Sequence, residues 1–269
     1  MEEYINQIGE TGKRICETDA CEGSAGNISV FFTENTELRH IFPEKKIIDL
    51  PYPAPNLTGG YVVITGSGRR LGEVSDNPEE NLAVIEITEK GEKGIMHTSP
   101  KKLFERPTVE FNSHLAIHNL SVTSGKDTFH AIVHAQPLYL TYLSHIKEYQ
   151  DIAYLNRHIL RWECETICNM PEGIGYVSFA PPGSEKLMSD TMEMVKKHRI
   201  VLWAKHGIIA KSNISVKKAW DIIEYAETGA HYEYINLANN NMAEGLSPEE
   251  ICSVTETFGI KQNIFTREK

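Results

Sequence analysis

The stretch Phe129-His-Ala-Ile-Val-His-Ala-Gln-Pro137 reads as a strand that delivers a histidine to a cleft. A period of two puts His130, Ile132, His134 and Gln136 on one face and Ala131, Val133 and Ala135 on the other. Pro137 supports an extended Gln136, because the residue before a proline is biased away from helix. Val201-Leu-Trp-Ala-Lys-His206-Gly207 repeats the pattern, with a histidine closing a short apolar run. Neutral imidazole is a common ligand of divalent transition metals, so His134 and His206 are candidates for one ion. The competing reading is that strand histidines are hydrogen-bonded core residues. Gln136 stands where a zinc site would ordinarily place another imidazole.

Working outward, residues up to about Cys21 suggest a helix, broken by the turn-rich Glu22-Gly-Ser-Ala-Gly26. Asn27–Phe32, Tyr61–Thr65 and Leu82–Thr88 are rich in β-branched and apolar residues, as strands are. Pro51-Tyr-Pro-Ala-Pro55 is loop, and Asn77-Pro78 marks a turn. A helix begins near Pro107-Thr108, and along it Glu110, His114 and His118 share one face at i, i+4 and i+8. Ala131–Val133, Ile200–Trp203 and Ile208–Ala210 are further strands; Pro137–His145, Glu185–His198 and Val216–Asn239 are further helices. Their irregular alternation gives an α/β sandwich rather than a strict βαβ repeat. No repeat or linker divides the chain, so one domain over residues 1–269 is expected.

Composition narrows the function. With 41% hydrophobic and 24% charged residues the chain is ordinary for a globular protein. A formal charge of -10 argues against nucleic acid as a partner, since duplex binding needs a basic stripe. No apolar run approaches the roughly 18 residues of a membrane span, and the first residues lack a signal peptide's apolar middle. Five cysteines, an odd number, point away from a disulfide framework and toward a reducing cytoplasm.

Two turns suit an anion. Gly23-Ser-Ala-Gly-Asn-Ile-Ser29 lets backbone N–H groups and Asn27 come close to a phosphate, although a plain turn explains it as well. Thr65-Gly-Ser-Gly-Arg-Arg70 gathers glycines, hydroxyls and guanidinium groups at a strand end but lacks the lysine pattern of a nucleotide-binding loop. Glu110, at a helix start, could simply complement the helix dipole. Glu163 and Glu165 flank Cys164 and, taken alone, read as surface charges.

Taken in order, Gly26-Asn-Ile-Ser29, Thr65-Gly-Ser-Gly68, Pro107-Thr-Val-Glu110, Val133-His-Ala-Gln-Pro137 and Lys205-His-Gly207 resemble the class II aldolase and adducin family. The resemblance implies an α/β fold, a class II aldolase-like sandwich with a central, mainly antiparallel sheet flanked by helices. It implies a lyase that cleaves a ketose 1-phosphate, L-rhamnulose 1-phosphate being the best match, to dihydroxyacetone phosphate and an aldehyde through a metal-stabilised enediolate. By the same resemblance Glu110 and Glu165 are catalytic, and Gly26, Asn27, Ser67, Gly68 and Thr108 bind substrate phosphate. His134, Gln136 and His206 hold a divalent metal, best matched by zinc. Further implications are a small phosphorylated sugar as substrate, a homotetramer and a cytoplasmic setting. The family also admits a non-catalytic, adducin-like binding module and a pentulose-phosphate epimerase. The sequence departs from the family at Gln136, which replaces an imidazole, and at Val109, where the best-matching members of the family tend to offer a second hydroxyl.

Overall fold

The computed structural model describes residues 1–34 and 40–267. Along them run helix α1 (Glu2–Glu17), strands β1 (Asn27–Phe32), β2 (Glu44–Asp49) and β3 (Tyr61–Thr65), helix α2 (Pro78–Asn81), strands β4 (Leu82–Thr88) and β5 (Lys93–Thr98), helix α3 (Phe111–Ser121) and strand β6 (Phe129–Ala135). There follow helices α4 (Leu138–Leu143), α5 (Ile152–Ile159) and α6 (Cys164–Asn169), strand β7 (Gly175–Val177), helix α7 (Glu185–Val195), strands β8 (Ile200–Trp203) and β9 (Gly207–Ser212), and helices α8 (Val216–Ala238) and α9 (Pro248–Thr257). Contacts gather these residues into two compact units. The first holds Met1–Gln136, Ala180–Met192 and Lys211–Trp220, and the second Pro137–Phe179, Glu193–Ala210 and Asp221–Lys269.

In the first unit the strands run in the order β2-β5-β4-β3-β1-β6, every neighbouring pair antiparallel. β1 is buried along its whole length, so both faces of the sheet are covered there. On one face Phe31, Val62, Ile64, Ala83 and Ile85 pack with Phe111 and Leu115 of α3 in one apolar core. On the other, Tyr4 of α1 lays its ring against Phe32 and Phe129, with centroids 4.9 and 5.7 Å away. β2, by contrast, is exposed and reads Glu-Lys-Lys-Ile-Ile-Asp. Charged side chains on such an edge strand discourage pairing with a second chain.

In the second unit β7 pairs parallel with β8, and β8 antiparallel with β9. Its helices bury a carboxylate. Glu233 of α8, 1% exposed, accepts hydrogen bonds from the Tyr149 hydroxyl, from Arg161 Nη2 at 3.1 Å and from Trp162 Nε1 at 2.9 Å. Another acid of α8, Glu227, accepts the Tyr139 and Leu140 backbone N–H groups at 2.8 and 2.9 Å, where α4 begins.

The expected class is found: a mixed α/β fold built on mainly antiparallel strands and flanked by helices. The first helix ends at Glu17, short of Cys21, and Asn77-Pro78 opens the short α2 rather than a simple turn. Strands β2, β5 and β7 and helices α5, α6 and α9 go beyond the sequence reading.

Removing Glu233 leaves the Arg161 guanidinium and two hydrogen-bond donors without their shared acceptor. Glu233→Ala is expected to lower stability by on the order of 3 kcal/mol in urea unfolding. A loss below about 1 kcal/mol, the range of surface ion pairs, would contradict this account of the cluster.

Candidate functional site

One end of the first unit's sheet collects most of the sequence candidates. Asn27 opens β1 opposite His134 of β6, and Ser29 stands opposite Ile64 of β3. The Thr65–Gly68 turn and the Pro107–Glu110 segment are tied to each other there. Ser67 N–H donates to Arg106 C=O at 2.9 Å, Thr108 N–H to Thr65 C=O at 3.0 Å, and Gly66 bridges to Pro107. Ile28 N–H reaches Thr65 Oγ1 at 3.3 Å and links the turn to β1. Gly26, Asn27, Ser67, Gly68, Thr108, Glu110 and His134 are thereby brought to one edge.

Two glycines are required by the backbone. Gly26 has φ +79°, and a Cβ there would meet the His134 carbonyl oxygen and Leu71 Cδ1, each at 3.0 Å. Gly68 has φ +74° and nothing within 4 Å of where a Cβ would stand, so its turn is open on that side. Arg69 does not add a free charge to this turn. Its guanidinium group donates to Asn81 Oδ1 at 2.8 Å and pairs with Glu73 at 2.9 Å.

Glu110 occupies the position before α3 but makes no side-chain cap to the helix. Its carboxylate instead accepts Asn27 Nδ2–H at 2.7 Å and lies 3.5 Å from His134 Nε2. Both are almost fully buried, Glu110 at 2% and His134 at 1% exposure. The dipole-complement reading of Glu110 is therefore replaced by a buried carboxylate–imidazole pair.

Behind this pair runs a line of polar contacts. Asn27 Oδ1 lies 2.5 Å from His114 Nε2, and His114 Nδ1 lies 2.6 Å from Ser29 Oγ. Ser29 Oγ is 2.7 Å from His118 Nε2, and His118 Nδ1 is 2.7 Å from His130 Nδ1. The register between helix and sheet explains the alignment. Four helical residues rise about 6 Å, and two strand residues about 6.6 Å. Position 110, just before α3, and positions 114 and 118 within it thus keep step with 27 and 29 of β1 and with 134 and 130 of β6.

Burial holds these imidazoles neutral. Desolvation pushes His114 and His130 down to about 3, and His118 well below its ordinary value. His130 shares a strand face with His134, but it is engaged by His118 and sits four strand residues, roughly 13 Å, from His134. The two imidazoles are too far apart to share one ion.

The remaining candidates are Gln136, His206 and Glu165. Gln136 follows the last residue of β6, and its backbone N–H donates to Ala20 C=O at 2.8 Å. In the second unit His206 ends the turn between β8 and β9. Its ring stacks on Trp203 with centroids 5.2 Å apart, and the preceding Lys205 N–H is held by Ser144 Oγ at 2.7 Å. Glu165 is exposed on the first turn of α6 and lines a cleft with Glu163, Asp221, Glu224 and Tyr225. Burial and the nearby Glu165 raise the pKa of Glu163 in that cleft. No role was read from the sequence for Ser29, His114 or His118. The i, i+4, i+8 spacing from Glu110 was the visible signal for the two histidines.

The family model for the class II aldolase and adducin N-terminal domain matches residues 6–234. The chain belongs to the class II aldolase and adducin family. It is 28% identical over 244 residues to a rhamnulose-1-phosphate aldolase of Yersinia pestis (strain Pestoides F), covering 89% of this chain and 87% of that one. Among solved structures, a sugar-phosphate aldolase from Thermotoga maritima superposes with a TM-score of 0.74 at 29% identity, covering 88% of this chain and 96% of the other. An L-fuculose 1-phosphate aldolase superposes at 0.63 with 22% identity, covering 97% and 98%, a likeness of fold. Membership supports a lyase activity. Among the described residues no helix is long and apolar enough to cross a membrane.

The neutral imidazoles make stability depend on pH. A folded pKa near 3 against an unfolded 6.5 means that stabilisation is complete above 6.5 and lost as pH falls toward 3. From pH 7 to 5, His114 and His130 together cost about 4 kcal/mol. Glu227, raised to about 7 by burial, acts oppositely and returns about 2 kcal/mol. His118 adds to the loss. Urea unfolding after chelation of metals is expected to show a net loss of at least about 2 kcal/mol over this range; unchanged stability would contradict buried neutral imidazoles.

Proposed function

We propose that this protein is a metal-dependent aldolase that cleaves a ketose 1-phosphate, with L-rhamnulose 1-phosphate the first candidate, to dihydroxyacetone phosphate and an aldehyde. The observation that carries the reading is the buried Glu110–His134 pair at the edge where the Gly26-Asn27, Ser67-Gly68 and Thr108 segments meet. A buried carboxylate beside an imidazole is costly as mere scaffolding and suited to proton transfer.

The donor chemistry fits a divalent ion. His134 and His206 are proposed to supply imidazole nitrogens, donors that suit such an ion, while Glu110 beside His134 is kept for proton transfer. Imidazole donors suit zinc, and Gln136 is proposed as a neutral amide ligand beside them. When bound, the ion supplies Lewis-acid stabilisation of negative charge on substrate oxygens.

The chain's own residues supply the rest of the proposed chemistry. Glu110 moves the proton at the carbon or hydroxyl undergoing change, help worth about 100- to 10,000-fold. Asn27, donating at 2.7 Å, orients the carboxylate for that transfer. The hydroxyls of Ser67 and Thr108, with the open turn at Gly68 and the positive-φ turn at Gly26 leading into Asn27, are proposed to take the substrate phosphate, Asn27 through its backbone because its side-chain amide is held by Glu110 and His114. Glu165 is proposed as a second acidic group near the substrate, supported by its position ahead of Pro171. By the same resemblance the enzyme is proposed to be a cytoplasmic homotetramer with a single domain. Burial of Glu110 against Asn27 and His134 favours an enzyme over an adducin-like binding module, which has no need of a carboxylate there.

His206→Ala is expected to abolish both metal binding, read by elemental analysis, and retro-aldol cleavage, read by release of dihydroxyacetone phosphate from a panel of ketose 1-phosphates. A metal-free His206→Ala protein with wild-type activity, or a metal-loaded wild type that cleaves none of the panel, would contradict the proposal.

A further inference from the structure

We infer that Ser29, His114, His118 and His130 are positioning residues: a one-directional chain of hydrogen bonds that fixes the amide of Asn27 so that it always presents a donor to Glu110. The inference deepens the proposed function, since it rests on Glu110 as the proton-transfer group.

Each link determines the next. An ionised carboxylate only accepts hydrogen bonds, so Asn27 must turn its NH2 toward Glu110, in keeping with the 2.7 Å contact. Its carbonyl oxygen then faces His114 Nε2 at 2.5 Å, and that nitrogen must carry the proton. A neutral imidazole has one N–H, so His114 Nδ1 accepts, and the Ser29 hydroxyl donates to it at 2.6 Å. With its only proton committed, Ser29 Oγ accepts from His118 Nε2–H at 2.7 Å. His118 Nδ1 is then an acceptor, and His130 Nδ1–H supplies the last link at 2.7 Å.

Five donors therefore point the same way, toward Glu110. All six residues are at most 6% exposed, so no water competes for the links. Reversing any one of them sets two acceptors or two donors face to face in a dry interior, a cost of about 1–3 kcal/mol for each unsatisfied group. Turning the Asn27 amide over would place its oxygen against the carboxylate and reverse the whole line. An amide does not readily relay a proton, so the chain holds Glu110 in place and does not conduct protons to it.

Imidazole nitrogen-15 NMR of the intact protein tests the chain without substrate. His114 and His118 are expected as Nε2–H tautomers and His130 as Nδ1–H. His114 protonated on Nδ1, or any of the three doubly protonated at pH 7, would overturn the inference. His118→Leu removes both links at that position, whereas His118→Gln can still donate with its NH2 and accept with its carbonyl. His118→Leu is expected to lower kcat about tenfold with KM within about twofold, and His118→Gln to restore most of it. A folded His118→Leu protein with wild-type kcat would overturn the inference. If the wild type cleaves no ketose 1-phosphate, the proposed function fails on its own, and the tautomers still decide the chain.

Discussion

The Asn27 amide, held between the Glu110 carboxylate and the His114 imidazole, is the contact on which the rest of the site depends. A carboxylate buried to 2% exposure needs polar partners, because an isolated charge in a dry interior is untenable. Asn27 Nδ2–H donates to Glu110 Oε2 from β1, and His134 Nε2 approaches the same oxygen from β6 at 3.5 Å. Both strands and α3 are thus fixed by a single polar cluster. A slip of one residue in β1 would turn Asn27 and Ser29 to the opposite face and leave the histidines of α3 facing apolar side chains.

The same constraint separates structural from chemical roles among similar residues. His130 and His134 share a face of β6, yet the first ends a line of buried hydrogen bonds while the second stands beside Glu110. Arg69 looks like a phosphate ligand in the sequence but is already occupied by Glu73 and Asn81. The hydroxyls of Ser67 and Thr108 and the open turn at Gly68 are therefore the groups proposed for the phosphate.

Much of this was legible beforehand, for identifiable reasons. Strands β1, β3 and β4 are dense in β-branched residues and match their sequence boundaries, because their burial on the sheet is what the pattern records. β2 was invisible, since an exposed edge strand reading Glu-Lys-Lys-Ile-Ile-Asp carries no apolar alternation. The spacing of Glu110, His114 and His118 was plain, but its meaning was not. Periodicity shows that three residues share a helix face; only the sheet opposite shows that Asn27 and Ser29 thread between them. Gln136 reads the same in both views, an amide directly after the strand that carries His134.

Hydrogen exchange into dihydroxyacetone phosphate tests the central claim most directly, because under the proposed function it requires proton transfer by Glu110 and no knowledge of the aldehyde partner. In D2O the metal-loaded protein is predicted to exchange one carbon-bound hydrogen at the hydroxymethyl carbon, and Glu110→Gln to slow that exchange at least about 100-fold. Absence of exchange by the metal-loaded wild type, or equal exchange by Glu110→Gln, would contradict the account.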